Sequence, residues 1–244
     1  MSVDKKRDEN MSNEFTFVVE KACPVCGQNT RVVKVKSRLM VQRTDDDYCC
    51  HYRDFNPYFY TILACEHCGY AADEKHFLTV LPERHQKILR DFLKEKRVSF
   101  IFTPERKLPD AVASYQLAIY CAEAVNAPLS RSAGLSLRMS WIYRLSGLKE
   151  QEMEWANKTI ELYERSLMTE RYPVENLTDN MVMYLLATLF NRVGNREQCA
   201  SYLSRLINDK SLKMTDSKIY YDARKLWQDI RMEESEAAKD SDKA

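Results

Sequence analysis

The spacing of apolar residues changes near residue 80. Before it, short stretches rich in aromatic and β-branched residues predict strands at 14–20, in one or two pieces across 31–43, and at 58–64. After it, apolar residues recur at helical spacing with charged residues between them, which predicts amphipathic helices. The pattern is that of an α+β fold, mostly α, with a small β head followed by helices.

Start and stop signals divide the helical part. Prolines suited to a first helical position and capping residues mark starts, and two glycines mark ends. The predicted helices begin near Pro82, Pro109, Ser132, Lys149, Thr178, Asn195 and Ser217, and two of them end before Gly147 and Gly194. Residues 1–13 and 233–244 are polar and charged, which predicts disordered ends and leaves 81–232 as the helical domain.

Two of the predicted helix pairs superpose when Gly147 is aligned with Gly194. The alignment pairs large residues with one another, Met139 with Leu186 and Tyr143 with Phe190. This resembles the first half of a tetratricopeptide-type repeat, although the offset of 47 residues, from 147 to 194, exceeds the usual value of about 34. We predict an irregular, antiparallel helical-hairpin array of tetratricopeptide-like type; an ordinary helical bundle is the alternative.

Two Cys-x-x-Cys-Gly motifs, at 23–27 and 65–69, flank most of the predicted β region. Each motif forms a tight loop that directs two sulfurs to one point, and the glycine permits the positive φ that the loop requires. Four thiolates so arranged predict a closed, tetrahedral site of the structural zinc type. The predicted ligands are Cys23, Cys26, Cys65 and Cys68.

Strands that alternate with these loops predict a zinc-ribbon-like domain at 14–80 with a long insertion. Iron is the alternative metal, because tetrahedral sulfur sites take either ion and rubredoxin has two such loops. A redox dithiol is a weaker alternative, since the motif occurs twice. A closed site offers no open coordination position, so the motif favours a non-enzymatic role.

Composition removes several functional classes. The 244 residues include only five glycines and contain no glycine-rich phosphate loop. The formal net charge of +1 gives no global attraction to nucleic acid or acidic lipid. The apolar runs are far shorter than the ~20 residues of a membrane span, and the N-terminal residues are charged. We therefore expect a cytoplasmic protein, without a membrane partner, whose thiols are reduced.

Two segments leave alternatives open. The segment 44–60 contains three adjacent acids, a histidine and several aromatic residues, and its Cys49, Cys50 and His51 are either extra ligands or packed side chains; we favour packing. The stretch 31–43 is basic and forms either a phosphate-binding surface or the charged outer face of a sheet. Its cations are Arg31, Lys34, Lys36, Arg38 and Arg43.

The N-terminal part resembles a bacterial family defined only as domain of unknown function 2225. The resemblance lies in CPVCG, SRLMVQRTDDDYCCHYRDFNPYFY and CEHCGYAADEKHF, and it continues into the helical part. It implies a zinc-ribbon-like head, a helical array and no established activity. The positions that fall on the family's inner motif are Asp45, Asp47, Cys49, Tyr52, Asn56, Pro57 and Tyr60.

These observations lead to one principal hypothesis and two others. The principal one is a non-enzymatic, zinc-binding interaction or scaffold protein whose helical array binds a protein or peptide segment. The first alternative is a nucleic-acid-binding zinc ribbon that uses the basic stretch. The second is a redox or catalytic role, either as a rubredoxin-like protein with iron at the four thiolates or through Asp47, Cys49 and His51. The sequence specifies neither the partner nor an oligomeric state.

Overall fold

The structure is a computed structural model that describes residues 14–241, with side chains to residue 236. The predicted disorder at residues 1–13 and 242–244 lies outside the described residues. Within this range the fold is α+β and mostly α, as predicted. No helix in the described range is both long and apolar enough to cross a bilayer.

The strands lie in the N-terminal part and form antiparallel pairs. They are β1 (Thr16–Ala22), β2 (Asn29–Val35), β3 (Val41–Thr44), β4 (Cys50–Tyr52), β5 (Ile62–Ala64) and β6 (Ala71–Asp73). In the described range the pairs are β1–β2, β3–β4 and β5–β6, each a separate two-stranded sheet. In the first pair Thr16 lies opposite Val35 and Ala22 opposite Asn29, so the Cys23–Gly27 loop joins the two strands directly.

A helix occupies each stretch in which the sequence predicts one. The helices are α1 (Glu74–Phe77), α2 (Glu83–Glu95), α3 (Leu108–Ala124), α4 (Leu129–Leu145), α5 (Lys149–Thr169), α6 (Asp179–Arg192), α7 (Arg196–Asn208), α8 (Leu212–Thr215) and α9 (Ser217–Ser241). Predicted caps are present, since the Thr178 hydroxyl accepts a hydrogen bond from Met181 N and the Asn195 side chain accepts one from Gln198 N.

Two local predictions are corrected. The strand predicted at 58–64 is only β5, because Pro57–Tyr60 forms a 3₁₀ helix in which Asn56 Oδ1 accepts a hydrogen bond from Tyr58 N at 3.0 Å. The disordered tail predicted from residue 233 is helical as far as Ser241, since α9 continues there. Glutamate and alanine are the most frequent strong helix formers in that stretch, and their propensity favours continuation of the helix.

The chain divides into two compact units. The first is Met1–Thr44 with Cys50–Trp155, and the second is Asp45–Cys49 with Ala156–Ala244. The strands and α2–α4 therefore belong to one unit. The last strand ends at Asp73, and the first compact unit continues through the predicted boundary after residue 80 as far as Trp155.

The β head of the first unit has no core of its own. One buried cluster joins side chains from the strands and both cysteine loops to α1, α2 and α3: Cys23, Val32, Cys65, Tyr70, Phe77, Leu89, Leu93 and Cys121. A second cluster joins β5 and β6 to α3 and α4: Ile62, Ala71, Tyr115, Ile119, Leu135, Met139 and Ile142. The helices therefore contribute apolar surface to a core that a small head cannot form alone.

The second unit consists of α6–α9, part of α5 and the loop Asp45–Cys49. Tyr48 attaches that loop to the helices, since its hydroxyl donates to Asp222 Oδ2 at 2.7 Å. Its ring lies 5.5 Å from the Tyr184 ring, and Lys218 Nζ lies 3.7 Å above its centre. The loop is therefore an integral part of the helical unit.

The turns after α4 and α6 have the same hydrogen bonds, as the alignment of Gly147 with Gly194 predicts. The equivalent bonds are Gly147 N to Arg144 O (3.0 Å), Gly194 N to Asn191 O (3.1 Å), Leu148 N to Tyr143 O (3.0 Å) and Asn195 N to Phe190 O (2.8 Å). Both glycines have positive φ, at 72° and 84°. The likeness concerns the turns, and the tetratricopeptide-like array stays a prediction.

Candidate metal centre

The two Cys-x-x-Cys-Gly loops, here called knuckle 1 (23–27) and knuckle 2 (65–69), have the same backbone structure. In each, the first cysteine and the glycine make corresponding hydrogen bonds: Cys23 N to Gln28 O (2.9 Å), Gly27 N to Cys23 O (2.9 Å), Cys65 N to Tyr70 O (2.8 Å) and Gly69 N to Cys65 O (2.9 Å). The φ angles of Gly27 and Gly69 are 75° and 77°. Sequence spacing and glycine thus determine two equivalent loops.

The fold brings the four predicted ligands together. Their sulfurs all lie within 4.8 Å of one another, with Cys23 Sγ 3.6 Å from Cys68 Sγ and Cys26 Sγ 3.7 Å from Cys65 Sγ. These separations exclude disulfides, whose S–S bond is about 2.05 Å. A tetrahedral ion with sulfur ligands at about 2.3 Å has S–S edges of about 3.8 Å. The donor set therefore fits a single four-coordinate metal ion.

The thiols are strongly coupled electrostatically. The pKa of Cys65 is lowered, first because the Cys23 thiol donates a hydrogen bond to its sulfur and then because Cys68 does the same. The pKa of Cys23 is raised to about 12, first because its proton is held by Cys65. The pKa of Cys68 is also raised, and the largest cause is the hydrogen bond between its thiol and Cys23. One thiolate is thus favoured by its neighbours, whereas four adjacent thiolates require a cation to balance their charge.

Knuckle 2 is fixed to β2 by its own side chains. Glu66 accepts hydrogen bonds from Arg31 N (3.2 Å), Nε (3.1 Å) and a terminal guanidinium nitrogen (2.6 Å). Glu66 N donates to Thr30 Oγ1 at 3.1 Å, and His67 Nε2 lies 2.8 Å from Asn29 O. Through these hydrogen bonds, Arg31 holds the pKa of Glu66 below its usual range. The two residues between the cysteines therefore attach knuckle 2 to the sheet of knuckle 1.

Knuckle 1 is fixed from the helical side. Arg90, on α2, donates to Val25 O at 3.0 Å, and the Val25 side chain is buried. Cys23 and Cys65 are 1% and 0% exposed, whereas Cys26 and Cys68 are partly exposed. An ion held here has a dry inner side against the core and a less buried outer side.

The basic stretch is partly neutralised by carboxylates. Arg31 pairs with Glu66, and Lys34 Nζ lies 2.6 Å from Glu74 Oε1. The Arg31 guanidinium also lies 4.5 Å above the centre of the Phe102 ring. These contacts match the charged outer face of a sheet better than a phosphate-binding surface.

The segment 44–60 is well packed rather than free. Cys49 is fully buried and donates from its amide to Asp47 Oδ1 at 3.3 Å, and Cys50 N donates to the Tyr58 hydroxyl at 2.9 Å. Asp46 and Asp47 line a cavity of 170 Å³ with residues of α6 and α9 in the second unit. Asp46 is exposed overall, and its pKa is raised first because the surrounding protein partly desolvates its carboxylate. Hydrogen bonds therefore hold the backbone at both Cys49 and Cys50.

Arg106 is a buried residue that sequence reasoning missed. Its amide donates to the Tyr60 hydroxyl at 3.1 Å, and its guanidinium donates to Ile62 O at 2.7 Å and Phe59 O at 3.1 Å. Burial lowers its pKa to about 10. The arginine stands in an irregular connection between α2 and α3, where no local pattern distinguishes it from a surface cation.

Comparison with known proteins identifies the family of this chain. The model of a family described as an uncharacterized protein conserved in bacteria (DUF2225) matches residues 18–230. The match spans most of the chain, which therefore belongs to this family, in agreement with the resemblance of its motifs. Neither a curated protein nor a solved structure matches the chain.

Proposed function

We propose that this member of the DUF2225 family is a non-enzymatic, zinc-binding interaction protein. One Zn²⁺ bound by Cys23, Cys26, Cys65 and Cys68 would stabilise the first unit, and the helical hairpins would bind a protein segment. The observation that carries the proposal is the convergence of four sulfurs from two equivalent knuckles within 4.8 Å. Four protein sulfurs complete a tetrahedral coordination sphere and leave no position for water or substrate.

The surroundings of the sulfurs support a structural role for the ion. The inner pair, Cys23 and Cys65, belongs to the same buried cluster as Leu89 and Leu93 of α2. Metal binding would therefore join two loops that are distant in sequence to the core that they share with the helices. Zinc suits this role because it has no redox chemistry and accepts tetrahedral sulfur geometry without a preference of its own. Iron is the competing ion for the same donor set.

The metal is tested by elemental analysis of protein purified without added metal. We expect one zinc per chain in the native protein and less than one in Cys26→Ser or Cys68→Ser. The Cys50→Ser variant is the matched control, because Cys50 is also a partly exposed cysteine of the β head but is not one of the four. A coloured, iron-containing native protein would replace the zinc proposal by the redox alternative.

The interaction role is tested separately by affinity capture from bacterial lysate with metal-loaded and chelated protein. We expect a specific protein partner with the metal-loaded form, and recovery of none in either state would contradict the role. A binding assay with DNA and RNA at low salt tests the nucleic-acid alternative. That alternative is weaker because Arg31 and Lys34, two of its cations, pair with Glu66 and Glu74.

A further inference from the structure

A groove of 410 Å³ lies in the second unit, between the end of α5, the connector that follows it, the start of α6 and α7. Three carboxylates line it, from Glu164, Glu170 and Asp179, against one guanidinium, from Arg205. Tyr202 and Met183 contribute apolar surface. The groove combines negative charge with aromatic and thioether groups in one concave surface.

Hydrogen bonds hold two of the carboxylates in place. The Tyr202 hydroxyl donates to Glu164 Oε1 at 3.2 Å, and the Tyr202 ring stacks on Phe190 with centroids 5.8 Å apart. The buried Ser166 hydroxyl donates to Glu170 Oε2 at 2.7 Å and also contacts the Tyr172 hydroxyl. The walls are therefore preorganised, which reduces the entropy lost when a ligand binds.

The apolar part of the groove suits a flexible aliphatic chain. Met168, which also lines the groove, is 83% exposed, so its side chain is accessible to a ligand. Methionine side chains adapt their shape to a ligand, and Met168 and Met183 both line the groove. Lysine and arginine side chains have this composition, an apolar stem with a cationic end.

The arrangement of the carboxylates argues against a single metal ion. Among the described residues, the groups of acids, cysteines and histidines close enough to share an ion do not include Glu164, Glu170 and Asp179. Carboxylates that are spread along a groove match several charges on an extended chain instead. Nucleic acid and acidic lipid would be repelled by the same charges.

We infer that this groove binds a basic peptide segment, in which lysine or arginine side chains pack against Met168 and Met183 and direct their charges to Glu164, Glu170 and Asp179. The inference rests on the proposed function and specifies the chemistry of the partner. Arg205, whose guanidinium lies 6.0 Å above the centre of the Tyr202 ring, opposes such a ligand at the rim. Its removal and the removal of a carboxylate should therefore change affinity in opposite directions.

The test uses the full-length, metal-loaded protein and three fluorescent heptapeptides, in which leucine alternates with lysine, with glutamine or with glutamate. Binding of each peptide is measured by fluorescence anisotropy at low salt. We expect the lysine peptide to bind about tenfold or more tightly than the glutamine peptide, and the glutamate peptide most weakly. Asp179→Asn and Glu164→Gln should weaken the lysine peptide about fivefold, whereas Arg205→Gln should tighten it about threefold.

Glu161→Gln is the matched control, because this substitution removes the same charge as Glu164→Gln. Glu161 lies one turn before Glu164 on α5 and is not part of the groove. We expect no change in this variant. Glu164→Gln could disturb folding, because Glu164 accepts the Tyr202 hydrogen bond. Asp179→Asn provides a second test without this complication, because Asp179 is exposed.

Equal affinity for the three peptides, or equal effects of Glu161→Gln and Asp179→Asn, would overturn the inference. If native and Asp179→Asn protein recover a lysate partner equally well, this groove is not the binding site, and the proposed function remains intact. Absence of both peptide binding and any lysate partner would overturn both.

Discussion

The two knuckles have the same motif and the same backbone hydrogen bonds but different surroundings. A methyl group added at Gly27 would meet no heavy atom within 4 Å, whereas one added at Gly69 would lie 2.5 Å from Val98 Cγ1. Knuckle 1 therefore needs its glycine for backbone conformation alone. Knuckle 2 needs it for conformation and for space as well.

The knuckles are also held in different ways. Knuckle 1 receives one hydrogen bond from α2, from Arg90 to Val25 O. Knuckle 2 uses the side chains of Glu66 and His67, within its own motif, to contact β2. Equivalent ligand loops thus depend on different parts of the chain, and substitutions at corresponding positions should not have equal effects.

Removal of one ligand sulfur is expected to have the largest effect on stability. The effect should be the same for either knuckle, because both supply ligands to the same ion. We expect Cys23→Ser and Cys65→Ser each to lose the metal and to lower the free energy of unfolding by about 4 kcal/mol or more, because the ion contributes to folding directly. Metal content and guanidinium-induced unfolding measure the two effects.

The control for both variants is Cys50→Ser, which should retain the metal and nearly all the stability. The prediction fails if Cys65→Ser keeps one ion per chain. It also fails if chelation of the native protein leaves its unfolding curve unchanged.

The second prediction compares Gly27→Ala with Gly69→Ala. Gly27→Ala should cost about 1 kcal/mol of folding free energy, the strain of a left-handed conformation in a residue with a Cβ atom. Gly69→Ala should cost about 3 kcal/mol, because overlap with Val98 adds to the same strain. Urea unfolding of the two variants measures the difference.

Val98→Ala in the Gly69→Ala background provides the internal control, since it removes the overlapping methyl groups. The double variant should be less destabilised than the sum of the single variants. Equal costs for the two glycine substitutions would show that conformation alone determines both positions.

These comparisons separate what local sequence predicts from what it cannot. Cys-x-x-Cys-Gly predicts a loop with two convergent sulfurs because spacing and glycine conformation act within a few residues, and the capping residues Thr178 and Asn195 predict helix starts for the same reason. The sequence also predicts that the two knuckles come together, because a tetrahedral metal ion needs four sulfur ligands and each knuckle has two. The role of the four cysteines as ligands stays a prediction until the metal is measured.

Contacts between residues distant in sequence were not predictable in this way. Val98 stands in a connection with no regular pattern, and nothing local indicates that it covers Gly69. Arg106 has a buried guanidinium only because Phe59 O and Ile62 O face it. The loop Asp45–Cys49 belongs to the second unit through Tyr48 and Asp222, which are far apart in sequence. Such features depend on the packing of whole elements rather than on local propensity.

The third prediction concerns the attachment of knuckle 2. Glu66→Ala should lower the free energy of unfolding by about 2 kcal/mol, because Arg31 loses a partner for its backbone amide and its guanidinium. The side chains of Arg31 and Glu66 are 43% and 20% exposed, so solvent screening keeps the ionic part small. A double-mutant cycle with Arg31→Gln measures the coupling. No coupling would show that His67 and Thr30 suffice to hold the knuckle.

The pKa of Glu66 gives the same pair a pH dependence. Because its folded-state pKa is lowered, its contribution to stability is complete above the unfolded pKa of about 4.3 and is lost as pH falls through the folded value. The difference in free energy of unfolding between native and Glu66→Ala protein should therefore be constant above pH about 4.3 and decrease at lower pH. Unfolding of both proteins at several pH values measures this difference.

The smallest effect is expected at the attachment of knuckle 1. Arg90→Met keeps an unbranched aliphatic side chain but removes the donor to Val25 O, which should cost about 1 kcal/mol. The loss is smaller than at Glu66 because a single hydrogen bond disappears. Urea unfolding measures it, with Arg84→Met, an exposed substitution on the same helix, as the control. If Arg90→Met proves as costly as Glu66→Ala, then helix α2 positions the first knuckle more strongly than its single contact indicates, and the two knuckles are held equally well by different means.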